Sequence, residues 1–553
     1  MTRRIPTWPL LFGFGVLAVT IGYPLGVLFI QSLLPVFMRG SIEGFFAAYG
    51  RIFSTPGLGS MLWNSFLWGL ATTGGAWLLG VPCGWLLART DMPQKNWVRI
   101  LLLVPVMSPA YINALAYVLA MQPGGFLDLL LASGGGLPES LRSIFFGFWG
   151  VTFVMVMSSF GGVALAVEAS LRALPSRLED VAASLGARPW DILRLITIPL
   201  LLPALLNSGI IVFLDAISNF GVPAIMGPRS NLPLLPAEIY QLVTSWPLDL
   251  PLATALSVLL CIAALALISL GRQLLASHSL GRTRAAAVSV KKLGPAGSLA
   301  AWGFIGTLFL LAAVIPNGVV VATSFVDRWN AGDISLTLRH YSGLFQPGAG
   351  SFQALSTSLG LSFLTATAAV LAGGITAYGI ARNRGPLAGV VDTMSLMPRM
   401  VPRIVTAVAF ILAWNAPWVF LEIYNTVWIL MLAYFALYQS DAMRFADAGM
   451  RNVGQNLEQA AEILGAGKLQ IFTRIVLPIL GPGLFAAWIT TFVVCMRDWV
   501  ASIILLPPGV QTIGSFIFNQ FDQGEISAAM AMATCTVVVS TIVLVIMQAR
   551  RRS

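Results

Sequence analysis

Apolar residues fall in long uninterrupted blocks along this chain, and the blocks set its first reading. A window of about 19 residues picks out twelve of them, at 8–34, 60–88, 100–121, 144–170, 194–220, 250–276, 299–324, 354–381, 390–414, 418–439, 473–496 and 527–548. A helix needs roughly 20 residues to cross about 30 Å of hydrocarbon. The pattern therefore predicts an all-α polytopic membrane protein of about twelve transmembrane helices. The block from Trp8 to Leu34 follows Arg3 and Arg4, as a secretory signal would. It is too long for a signal core and contains no convincing small-residue cleavage site, so it reads as the first span.

The polar positions between the blocks set orientation, because basic residues in short loops stay on the cytoplasmic side. Arg3 and Arg4, then Arg89, Lys95 and Arg99, then Arg172, Arg177, Arg188 and Arg194, then Arg382 and Arg384, and finally Arg550, Arg551 and Arg552 all fall on one side of the predicted membrane. Both termini are expected in the cytoplasm.

Composition agrees. Of 553 residues, 57% are hydrophobic and 10% charged, with a mean hydropathy of +0.84, which excludes a soluble domain. The net charge of +10 is spread over the loops and not gathered with aromatics into a patch, so no nucleic-acid partner is expected. Cys83, Cys261, Cys495 and Cys535 all lie in predicted spans, which argues against a periplasmic disulfide framework. With His278 and His340 alone, no built-in metal site is expected.

One stretch, "AAEILGAGKLQIF" from Ala460, offers Gly465, Gly467 and Lys468 as a phosphate-binding turn. That chemistry needs a glycine five residues before the Gly-Lys pair and a hydroxyl after it. Glu462 and Leu469 stand there instead, setting a carboxylate against the phosphate and a leucine against the magnesium. No nucleotide or other cofactor is expected in this chain.

A repeat explains the stretch. "GWLLART", with Arg89, answers to "AYGIARN", with Arg382, and "LVPVMSP" to "LMPRMVP", both 293 positions on. Further along, "EDVAASLGARPWDILRLITIP" answers to "EQAAEILGAGKLQIFTRIVLP" at 279 positions, so the second half lacks 14 residues, placed in the periplasmic loop around 122–142. The division is a first half at 1–276, a basic linker at 277–298 containing Arg282, Arg284, Lys291 and Lys292, and a second half at 299–553. The halves are parallel repeats of six spans each. The duplicated cytoplasmic elements, 177–199 and 456–478, read as a helix, a bend at Gly186 or Gly465, and a second helix running to Pro199 or Pro478. Such a short, charged, paired element suits docking to a soluble partner.

At these residues the chain resembles the permeases of ATP-binding-cassette importers, whose signature is Glu-Ala-Ala, three residues, Gly, nine residues, then Ile-x-Leu-Pro. The second copy matches at Gln459, Ala460, Ala461, Gly465, Ile475, Leu477 and Pro478, and the first at Asp180, Val181, Ala182, Gly186, Ile196, Ile198 and Pro199. The signature glutamate is absent from both: Asp180 keeps the charge and Gln459 does not, with Glu179 and Glu458 one position earlier. The resemblance implies that these elements are coupling helices seated on two copies of a separate ATPase subunit, which does the ATP chemistry. It also implies a periplasmic substrate-binding protein as partner, a place in the bacterial inner membrane, and import by alternating access, with no catalysis by this chain.

A twelve-span secondary transporter also has two parallel halves, but has no reason to carry two coupling elements. An integral membrane enzyme would need a catalytic constellation, and none is visible. The third-span prolines, "PR.VP" in the ninth span and "LPPG" at Leu506–Gly509 look most like the ferric-iron group of these permeases. Permeases for 2-aminoethylphosphonate, thiamine and polyamines share the architecture.

Ionisable residues inside spans mark candidate path positions, since lipid exposure is costly there. Arg399 and Arg403, four apart in the ninth block, are expected on one helical face, either paired with Asp392 or near enough to the cytoplasm to snorkel, or else lining the path. Asn219 and Asp498 correspond at the 279 spacing and would border the mouth or cap helix ends. Asp215 has Val494 as its counterpart, so any role is asymmetric.

Overall fold

Among the described residues, ten principal helices in the first half recur in order as ten in the second. The computed structural model describes residues 7–550 apart from 132–135, 174–176, 231, 277–289, 328–334, 384 and 451–454. Most of the predicted linker, with Arg282 and Arg284, lies outside the described residues, as do Arg3, Arg4, Arg384, Arg551 and Arg552. The first set is α1 (Trp8–Leu33), α2 (Leu58–Arg89), α3 (Lys95–Met107), α4 (Ala110–Met121), α5 (Phe148–Ala173), α6 (Arg177–Ser184), α7 (Trp190–Ser218), α8 (Gly221–Ser230), α9 (Leu235–Thr244) and α10 (Leu250–Ala276). The second is α11 (Gly294–Ser324), α12 (Gly350–Arg382), α13 (Pro386–Met400), α14 (Arg403–Trp414), α15 (Val427–Met450), α16 (Gln455–Ile463), α17 (Phe472–Met496), α18 (Val500–Leu505), α19 (Ile513–Asp522) and α20 (Ile526–Arg550). Residues 294–298, read as linker from sequence, already belong to α11.

Among the described residues nine helices are long and apolar enough to cross a membrane, and two bent pairs raise this to eleven. The tenth block, read as 418–439, is instead α15, which starts at Val427 and runs on to Met450. It is less apolar than its neighbours because Asp441, Arg444 and Asp447 fall on it, yet it matches α5 at the 279 spacing. Between α4 and α5 lie 26 residues and between α14 and α15 only 12, so the 14-residue difference falls there. The longer connection is tied by Asp128, which accepts from the backbone N–H groups of Leu137 and Gly124 and from Arg142. Those two N–H groups, with Arg142, hold the Asp128 carboxyl below its ordinary range.

The bent pairs are α3 with α4, at 85°, and α13 with α14, at 108°. Each break sits before a proline, Pro109 or Pro402, and the preceding Ser108 and Val401 take extended backbone because the proline ring excludes the helical region there. This corrects the ninth block. Arg399 lies in the last turn of one helix and Arg403 begins the next, so they do not share a helical face.

Other prolines are absorbed without a break. Ala18–Gly22, Leu193–Thr197, Leu310–Val314 and Phe472–Val476 are π-helical, and each is followed two residues later by Pro24, Pro199, Pro316 or Pro478. Widening the turn relieves the clash of a proline with the carbonyl four residues back. Pro199 and Pro478 therefore lie inside continuous helices, not at the boundaries expected from sequence.

The first helix of each half packs on the other half. α1 lies against α12, where Gly13 meets Thr376 and Gly379 meets Pro9 and Leu10, the small residues allowing close approach. Gln439 donates to Thr20 across the same seam at 2.8 Å, and Tyr23 donates to the carbonyl of Ala413 at 2.7 Å.

Candidate functional site

The two coupling elements are built alike. α6 is closed by Gly186, two residues past its end, which takes φ +85°; its N–H and that of Ala187 donate to the carbonyls of Ala183 and Ala182, both at 3.0 Å. α16 is closed by Gly465 with the same φ, and the N–H groups of Gly465 and Ala466 donate to the carbonyls of Glu462 and Ala461, again at 3.0 Å. The left-handed residue satisfies orphan carbonyls and turns the chain, a conformation that favours glycine.

Each element is pinned to the bundle by an arginine at the end of the second span. Arg382 binds Glu458, its Nε donating at 3.0 Å, and Arg89 lies 3.7 Å from Glu179, which also accepts from Thr197 at 2.9 Å. The arginines are buried, whereas Asp180 and Gln459 are exposed. Glu179 and Glu458 thus hold the elements to the membrane helices, while Asp180 and Gln459, at the position of the signature glutamate, face outward. Ala461 and Ala466 pack inward against a cluster of Met450, Ile471, Val476 and Leu480. Outward stand Leu185 and Leu464, 83% and 87% exposed. The end of the linker joins this face, since Lys291 exchanges backbone hydrogen bonds with Arg89 and Asp91.

A cavity of about 470 Å³ lies between the halves. Its walls include Ser158 to Ala166 of α5 and Asn207 to Asp215 of α7, so it extends towards the coupling end. At the other end Trp499, itself buried, packs on Tyr111, Phe220 and Phe518 with ring centroids 5.1, 4.9 and 4.9 Å away. Four of the five path residues expected from sequence border this cavity: Asp215, Asn219, Arg403 and Asp498. Arg399 does not. It pairs with Asp441 at 3.0 Å, and Asp392, its expected partner, instead binds Arg444 at 2.8 Å.

Asn219 and Asp498 play matched parts, their side chains accepting from the N–H groups of Val222 and Ala501 at 3.0 and 2.9 Å to start α8 and α18. Asp498 also accepts from Tyr438 at 2.6 Å. Sequence reasoning missed Tyr438 and Arg497. Arg497 crosses between halves and donates to the carbonyl of Met107, freed where α3 breaks. An arginine beside Asp498 at the far end of a span was itself a signal; nothing marked Tyr438.

A family model described as binding-protein-dependent transport system inner membrane component matches residues 80–284 and 369–550, one stretch in each half. The chain belongs to this family. It is a multi-pass inner-membrane permease, and its role is transport. Among its relatives, the Fe(3+)-transport system permease protein FbpB 2 of Haemophilus influenzae is 24% identical over 548 residues, 98% of either chain. The ferric transport system permease protein FbpB of Actinobacillus pleuropneumoniae is 24% identical over 448 residues, 80% of this chain and 64% of its own. A putative 2-aminoethylphosphonate transport system permease protein, PhnV, of Salmonella paratyphi A is 25% identical over 265 residues, 47% of this chain and 95% of its own.

Proposed function

We propose that this chain forms both halves of the pathway of an ATP-driven importer for ferric iron. Substrate arrives on a periplasmic binding protein, enters the cavity bordered by Asp215, Asn219, Arg403 and Asp498, and leaves to the cytoplasm. Both termini and both coupling elements lie on the cytoplasmic side. Two ATPase subunits dock at Gly186 and Gly465, one on each element, and this chain holds no cofactor of its own.

The observation that carries the reading is the duplicated bend, each copy with a left-handed glycine and an arginine clamp, on a bundle whose cavity lies between the halves. Ferric iron is favoured over a phosphonate because likeness to a ferric permease runs the full length of both chains, whereas PhnV matches about half of this one. The test is uptake by vesicles containing this chain, its ATPase and its binding protein. Radioiron is expected to accumulate only with ATP inside the compartment that holds the ATPase. Uptake of labelled 2-aminoethylphosphonate in place of iron would contradict the substrate assignment and leave the permease role intact.

A further inference from the structure

Asp215 and Arg403 face one cavity with opposite charges and form no ion pair with each other. Both side chains are exposed to it, and among the described residues neither makes an ion pair or a hydrogen bond. The ring of Tyr438 lies 6.0 Å from the guanidinium carbon of Arg403. The other two charged lining groups are already engaged, Asp498 by Tyr438 and the N–H of Ala501, and Arg497 by the carbonyl of Met107. α3 runs 13 residues, about 20 Å at 1.5 Å per residue, from Lys95 to the break at the cavity's edge. Ionisable groups that face a shared cavity inside a helical bundle without a partner mark a ligand path.

The charge count decides what kind of ligand. Two carboxylates and two guanidinium groups cancel, so a bare trivalent cation would enter a site with no net negative charge and with two cations on its wall. Like charges on the wall of a partly enclosed cavity repel such an ion. The cavity, at about 470 Å³, is also far larger than a naked ion requires and falls in the range of small-molecule pockets. We infer that ferric iron crosses this permease as a complex with a small oxyanion, Arg403 taking the anion and Asp215 facing the metal. A guanidinium presents a planar fork of donors that matches an oxyanion in two places at once, which a lysine does not. The asymmetry follows from sequence: the first-half counterpart of Arg403 is Ala110, and that of Asp215 in the second half is Val494, so each half supplies one free charge.

This inference rests on the ferric reading, and the experiment separates the two. Vesicles with the complete complex are supplied with binding protein loaded with radioiron and either labelled phosphate or labelled citrate, in a bicarbonate-free, non-coordinating buffer. At least one labelled anion is expected to enter with the iron at a ratio of about one to one, and Arg403→Gln is expected to lower iron and anion uptake together by about tenfold or more. Iron entering with neither label would overturn the inference while leaving the ferric reading standing. No iron uptake by the unaltered complex would overturn both. Should Arg403→Gln fail to assemble, Arg403→Lys keeps the charge and removes the fork. It is expected to slow anion-coupled uptake several-fold, and unchanged uptake in that variant would count against the assignment of Arg403.

Discussion

Replacing Arg382 by methionine is expected to reduce uptake more than tenfold, and adding Glu458→Met is expected to restore much of it. Arg382 and Glu458 are 7% and 15% exposed at their side chains, so their pair lies largely out of water. Removing one partner of such a pair leaves an uncompensated charge, at a typical cost of about 3–5 kcal/mol, whereas replacing both with apolar groups of similar volume is often neutral. The bare Glu458 would draw α16 outward towards water, and the second coupling element would lose its fixed place on the end of α12. Arg89→Met should be milder, because Arg89 stands 3.7 Å from a Glu179 that is 22% exposed and that keeps its bond from Thr197. Uptake in vesicles, alongside co-purification of the ATPase, checks both. Equal activity of the Arg382→Met single and double variants would remove the clamp from the account.

Valine at both Gly186 and Gly465 is expected to abolish uptake, with asparagine at the same positions far better tolerated. A left-handed conformation costs a β-carbon residue about 1–2 kcal/mol, and a β-branched one is a genuine outlier there. A Cβ built at either position meets nothing within 4 Å, so the penalty comes from the backbone alone and the bundle is expected to fold. What changes is the direction in which α6 or α16 leaves the bend. Asparagine visits the left-handed region at less cost and serves as a control for side-chain bulk. Full uptake with valine at both bends, in protein of normal abundance, would show that these turns do not transmit force.

Much of this architecture was legible because the repeat supplied its own check. The spacings of 293 and 279 place Arg89 against Arg382 and Gly186 against Gly465, and glycines with helix-forming flanks mark the bends. Less legible was whatever depends on where a proline falls relative to the hydrogen-bond ladder. Pro402 breaks a helix and Pro478 does not, because the turn before Pro478 widens to a π-helix, and an apolar block shows the same profile in both cases. Hence Arg399 and Arg403 looked like one face and are not. Asp180 and Glu179 are neighbours in sequence, and only the rotation of α6 against Arg89 decides which turns inward. Tyr438 was silent because a tyrosine in an apolar helix declares nothing until its hydroxyl finds Asp498.

The central claim, that both bends seat an ATPase, is tested most directly by a photocrosslinking residue placed at Leu185 or at Leu464 in the assembled complex. Both side chains point away from the bundle and lie one position before the bend glycine. The account predicts that each position captures the same ATPase chain, and that both together in one permease capture two copies of it. A complex that still imports substrate while neither position captures an ATPase would contradict it.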